Sequence, residues 1–160
     1  MLFRSKMFKA KFVARGFSQK EGIDYDEIFA PIARYTTIRS IIALAASQGW
    51  SLHQMDVRTV FLHGSLKEEV YVEQPLGFEV RDRDTHVCML KKALYDLKQD
   101  PRAWDEMIDS FLMKMGFTQS DVDPNLYFKV DNEKPLILVL CADDLFLTGE
   151  DPLIWLLNLR

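Results

Sequence analysis

The chain has 160 residues, 48% of them apolar and 12% aromatic, enough to bury one sizeable core and too apolar for a disordered polypeptide. Its formal charge of -4 argues mildly against a nucleic-acid partner, and its two cysteines, Cys88 and Cys141, are too few for a disulfide framework and lack CxxC metal spacing. No apolar run reaches the length of a membrane span, and the basic start MLFRSKMFKAKF lacks the core and cleavage site of a secretory signal, so a reduced, intracellular setting without a membrane is expected.

The charge is unevenly spread. Arg4, Lys6, Lys9, Lys11, Arg15 and Lys20 occur in the first twenty residues without an acid, whereas Asp121, Asp123, Asp131, Glu133, Asp143, Asp144, Glu150 and Asp151 crowd the last forty. The basic end is either a phosphate-contacting patch or a solvated face.

In chain order, TTIRSIIALAASQGW predicts an amphipathic helix with Thr36 or Thr37 as N-cap, Ile38, Ile41, Ile42 and Ala45 on one face, and Gly49 as the stop. Leu52 to Val57 reads as a strand that ends at or near Asp56. VYVEQP and HVCML predict two short strands paired as a hairpin across the polar turn RDRDT. PRAWDEMIDSFLMKMGF predicts a second helix that starts at Pro101, buries Trp104, Ile108, Phe111, Leu112 and Met115, and stops at Gly116. NLYFKV and PLILVL then read as strands, the second apolar enough to be buried on both faces.

The stretch LVLCADDLFLTG places Asp143 and Asp144 at or beside the turn of a hairpin. Taken alone, the pair is explained most simply as turn residues facing water. Two adjacent carboxylates also repel unless a cation neutralises them, and Mg²⁺ prefers such hard oxygen donors. Asp56, at the end of another apolar-flanked strand, is the natural third acid. Three carboxylates from neighbouring strand ends can hold two metal ions about 3.5–4 Å apart for in-line phosphoryl transfer. A phosphoacceptor receiver domain also uses an acid pair and a lone Asp, but with the pair first in the chain, the reverse of the order here.

The blocks KAKFVARGFSQKEGIDYDEIFAPIARYTTIRSIIALAA, LHQMDVRTVFLHGSLKEEVYVEQPLGF, LKKALYDLKQDPRAW and DPNLYFKV…LILVLCADDLFLTG resemble, in order, the reverse transcriptase segment of copia-type retrotransposon polyproteins. The resemblance runs from about Lys9 to about Ile154 and leaves 155–160 divergent. It implies an α+β fold, residues 1–160 forming the fingers and palm of a right-hand polymerase without its thumb, because the family's continuation after TGEDPLI does not resemble the tail WLLNLR. The implied activity is RNA-directed DNA polymerisation on an RNA or DNA template with a primer and deoxynucleoside triphosphates, using two Mg²⁺ ions or Mn²⁺ in their place. Asp56 matches the first palm aspartate, and Asp143 and Asp144 match the pair in the family's Tyr-Val-Asp-Asp motif, making these three the expected catalytic residues and metal ligands.

By the same resemblance, Phe61 would sit beneath the incoming sugar and the amides around Thr59 and Val60 would face the triphosphate. Gln99 would lie near the nucleotide, and Lys11, usually Arg in the family, would contact phosphate, with Lys9 and Arg15 as weaker candidates. The chain also departs from the pattern. Cys141 and Ala142 replace Tyr-Val, Asp96 and Asp100 stand where Gly and Ala are usual, and Val60 replaces an alanine. A smaller, looser motif and two anions beside the phosphate path are therefore expected, and a catalytically inactive relic with weak nucleic-acid binding stands as the alternative to an enzyme.

Overall fold

The computed structural model describes residues 11–26, 32–57, 64–80, 85–142 and 144–152. The expectations placed on Lys9, Thr59, Val60, Phe61 and Asp143 fall outside them. Among the described residues two α-helices, α1 (Tyr35–Gln48) and α2 (Asp100–Lys114), accompany seven strands: β1 (Leu52–Asp56), β2 (Ser65–Val72), β3 (Cys88–Lys92), β4 (Thr118–Gln119), β5 (Leu126–Asp131), β6 (Lys134–Cys141) and β7 (Asp144–Gly149). Strands β1-β7-β6-β5-β4 form one antiparallel sheet, and β2 and β3 form a separate antiparallel ribbon, the pairing expected from VYVEQP and HVCML.

The core forms because α2 repeats large apolar residues every fourth position. Trp104, Ile108 and Leu112 pack on Leu136, Leu138 and Leu140 of β6 and Leu145 and Leu147 of β7, closed by Phe117 and Tyr127. Each such side chain removed from water contributes about 1.5–3 kcal/mol. Met115 joins this cluster as expected, but Phe111 does not: it lies on the margin of the stripe and keeps 41% of its surface exposed. Strand β6 is buried on both faces at its centre, with Leu138, Val139 and Leu140 nearly inaccessible, as its continuous apolar run requires. β4, too short to carry a periodic signal, was not anticipated.

Helix α1 begins earlier than its threonines suggest. Arg34 is the N-cap residue and its side chain makes no capping bond. The cap is supplied from a distant loop: Asp123 Oδ2 accepts hydrogen bonds from the Arg34 amide at 3.0 Å and the Thr37 hydroxyl at 2.5 Å. Burial alone raises the pKa of this carboxyl. The bonds from Thr37 and from the Arg34 and Asn125 amides outweigh it and hold the group below the usual carboxylate range. The helix stops where expected, with Gly49 in the left-handed region at φ 68° and the Trp50 amide returning to the Ala45 carbonyl at 2.9 Å.

The ribbon is tied to α2 by charge. Arg102 pairs with Glu68, and Lys67 Nζ lies 2.6 Å from Glu106. Burial pushes Glu68 upward, but the hydrogen bond and charge of Arg102 help bring it to a net lowered pKa. Among the described residues no helix is long and apolar enough to cross a membrane.

Candidate active site

β1 and β7 are antiparallel neighbours whose register sets Asp56 directly opposite Asp144, one step beyond the pair Met55 and Leu145. Met55 and Leu145 pack into the core beneath α2. Because side chains alternate along a strand, Asp56 and Asp144 lie together on the other face of the sheet. Asp56 is exposed and Asp144 half-buried. Directly paired side chains stand about 5 Å apart at Cβ, where two carboxylates repel by about 1–3 kcal/mol across effective dielectrics of about 20–80. That cost is set by the register, and a divalent cation between the two groups would offset it.

The β6–β7 hairpin brings a third residue to this row, since Cys141 pairs with Asp144. Ala142 begins the two-residue connection at φ 54°, the left-handed conformation that tight hairpin turns demand and that a side chain resists. A β-branched residue is even less suited to that conformation than alanine. Among the described residues no three His, Cys, Asp or Glu side chains approach closely enough to hold a metal ion. The described part of the expected triad is therefore the pair Asp56 and Asp144, whose hard oxygen donors fit Mg²⁺ or Mn²⁺.

The remaining expected residues gather elsewhere. Lys11 is exposed, its Nζ 4.5 Å from the centroid of the Tyr95 ring. Gln99, the N-cap residue of α2, is wholly buried and bonded to Gln19 and to the Asp24 carbonyl. Asp96 adopts φ 77° in place of the expected glycine, and its Oδ2 accepts the Gly16 amide at 3.2 Å. Asp100 turns inward, 2% exposed, its carboxyl oxygens near the Leu94 and Leu97 backbone but without a hydrogen bond of good geometry. Burial raises its pKa to about 7, outweighing the lowering pull of the Leu94 and Leu97 backbone, and the charge of Asp96 adds a little to the rise. Asp100 is thus withdrawn from the surface, whereas Asp96 stays exposed and keeps its carboxylate on the surface beside the Gly16 amide.

A cleft of about 520 Å³ opens between the N-terminal segment and β2, lined by Phe12, Arg15, Gln19, Glu69, Tyr71 and Gln74 among others. Asp56 and Asp144 do not line it. Gln19, Asp123 and the Glu68–Arg102 pair are the structural residues that sequence reasoning passed over. An Asp immediately before the turn-forming Pro124-Asn125 was the available signal for Asp123.

Over residues 2–156 the chain matches the family described as reverse transcriptase (RNA-dependent DNA polymerase). It is 48% identical over 145 residues to the retrovirus-related Pol polyprotein from transposon TNT 1-94 of Nicotiana tabacum, covering 90% of this chain and 11% of that protein. The corresponding polyproteins from transposons RE1 and RE2 of Arabidopsis thaliana are each 40% identical, over 91% and 90% of this chain and 10% of each relative. The chain thus spans about a tenth of the length of these relatives. No solved structure matches it significantly.

Proposed function

Because the chain belongs to the reverse transcriptase family, in the form carried by copia-type retrotransposon Pol polyproteins, we propose that it is the part of an RNA-directed DNA polymerase that carries the nucleotidyl-transfer site. The observation that supports this most is the register of β1 on β7, which sets Asp56 against Asp144 at the mouth of the β6–β7 hairpin. We assign the sheet and α2 to the palm, and the N-terminal segment and the β2–β3 ribbon to the fingers.

In this reading Asp56 and Asp143 are the principal ligands of two divalent ions, and Asp144 supports them from the paired position. The ions, when bound, would lower the pKa of the primer hydroxyl and stabilise charge on the leaving pyrophosphate. Asp56, on a sheet strand, fixes its carboxylate by backbone pairing rather than by loop contacts, and this limits reorganisation during the reaction. Phe61 and the amides near Thr59 and Val60 follow Asp56 directly in sequence and are proposed to receive the incoming sugar and triphosphate. Lys11, exposed above Tyr95, offers a cation to phosphate.

The test is Mg²⁺-dependent extension of a primer on an RNA template, with Asp143→Asn as control. Extension that the substitution abolishes is expected. Absence of extension by the unaltered chain over a range of protein and salt concentrations contradicts the reading.

A further inference from the structure

In the described N-terminal segment, 11–26, Tyr25 is buried at 8% exposure, but most of the other large apolar side chains face outward. Phe12, Val13, Phe17 and Ile23 are 53%, 51%, 80% and 79% exposed. Upstream of Tyr25 the segment's position is set largely by polar bonds to the leader of α2. The Ala14 amide donates to the Tyr95 carbonyl at 2.9 Å, and the Gly16 amide donates to Asp96. At Gly16 the approach is so close that an added Cβ would lie 1.6 Å from the Asp96 carbonyl oxygen.

At the centre of this joint is a ladder of amides. The Lys98 amide donates to Gln19 Oε1 at 2.9 Å, Gln19 Nε2 donates to Gln99 Oε1 at 3.0 Å, and Gln99 Nε2 donates to the Asp24 carbonyl at 3.3 Å. Gln99 has no exposed surface, and both ends of its side-chain amide are occupied. To reach a nucleotide it would have to give up both bonds, to Gln19 and to the Asp24 carbonyl, and leave the half-buried Gln19 amide without this partner, which is unfavourable.

We infer that Gln99, acting with Gln19, is a positioning residue: it clamps the basic N-terminal segment to the leader of α2 and so fixes where Lys11 and Arg15 present their charge. That these cations then meet nucleic-acid phosphate rests on the polymerase reading proposed above. Lys11 stands over Tyr95, the same residue whose carbonyl receives the segment's backbone, so its placement follows the docking of the segment.

The experiment compares the unaltered chain with Gln19→Ala, Gln99→Ala and the double variant in three measurements. Limited trypsin digestion reads cleavage after Arg15 and Lys20. Fluorescence anisotropy with a labelled RNA–DNA primer–template duplex reads the salt dependence of binding, and titration with Mg²⁺–dTTP reads nucleotide affinity. Each single substitution is expected to speed cleavage about tenfold and to lower the log–log salt slope by about one or two phosphate contacts. The double variant should add little to either single variant, and nucleotide affinity should fall no further for Gln99→Ala than for Gln19→Ala. A loss of Mg²⁺–dTTP affinity confined to Gln99→Ala, with cleavage and slope unchanged, overturns the inference and makes Gln99 a nucleotide contact. Independent, multiplying effects of the two substitutions overturn it as well. Should Gln99→Ala lose its helical circular dichroism, Gln19→Ala at the half-exposed end decides by the same cleavage and slope readouts. If the unaltered chain binds no duplex, the polymerase reading fails while the cleavage measurement still decides the clamp.

Discussion

Replacing Asp100 by alanine, the residue the family resemblance leads one to expect here, should stabilise the protein increasingly as pH rises. Asp100 is 2% exposed without a side-chain partner, and burial raises its pKa from 3.8 to about 7 against the lowering pull of the Leu94 and Leu97 backbone, with the charge of Asp96 adding a smaller rise. Below about pH 4 the carboxyl is protonated in folded and unfolded chains alike, so its ionisation adds no pH dependence there. Between about pH 4 and 7 the unfolded chain loses the proton and the folded chain keeps it, so stability falls as pH rises. Above about pH 7 the penalty is complete. A difference of about 3 pKa units at about 1.4 kcal/mol each gives about 4 kcal/mol. The first-turn position of Asp100 on α2 acts the other way, because a helix N-terminus favours an anion by about 0.3–1 kcal/mol, and desolvation prevails. Urea unfolding of both chains at pH 4, 6 and 8 should therefore show the advantage of Asp100→Ala over the unaltered chain growing by about 3–4 kcal/mol across the series, with an unchanged m-value. An advantage that stays flat with pH, or shrinks as pH rises, would refute the reasoning.

Other substitutions probe the cap, the ion pair and the hairpin. Asp123→Asn should destabilise by about 1–3 kcal/mol, since it weakens charge-assisted bonds at the start of α1. Because the Asp123 pKa is lowered on folding, its stabilisation is present above the ordinary carboxylate range and lost as pH falls; acid titration should show a shallower loss in the variant. Arg102→Ala should cost about 1–3 kcal/mol by leaving Glu68 half-buried without its partner, and adding Glu68→Gln should recover part of that loss in a double-mutant cycle. Ala142→Gly, relieving φ 54°, should raise the unfolding midpoint by the equivalent of about 1 kcal/mol in thermal melts.

Local pattern made much of the scaffold legible. The four-residue spacing of Trp104, Ile108 and Leu112, the stop at Gly49 and the strand ending at Asp56 are short-range features, each fixed by periodicity or by one backbone conformation. Long-range partners were less legible. The start of α1 is set by Asp123, 89 residues from Arg34, so no local capping rule could place it. Phe111 was misjudged because apolar character does not say where a helix's contact stripe ends. At the candidate site, sequence put Asp56 at a strand end and Asp144 beside a turn, but their direct opposition depends on the pairing of β1 with β7. Gln99 illustrates the same limit: its position at the head of α2 was evident, whereas its burial against Gln19 depends on how the N-terminal segment docks.

The measurement closest to the central claim is Mn²⁺ binding, followed by electron paramagnetic resonance, in the unaltered chain and in Asp56→Asn and Asp144→Asn. If the paired carboxylates hold catalytic divalent ions, the unaltered chain should bind Mn²⁺ in competition with Mg²⁺. Asp56→Asn should lose most of that binding and Asp144→Asn a smaller share, with both variants retaining the fold by circular dichroism. Equal Mn²⁺ binding by all three chains, or none by the unaltered one, would contradict a metal site on β1 and β7.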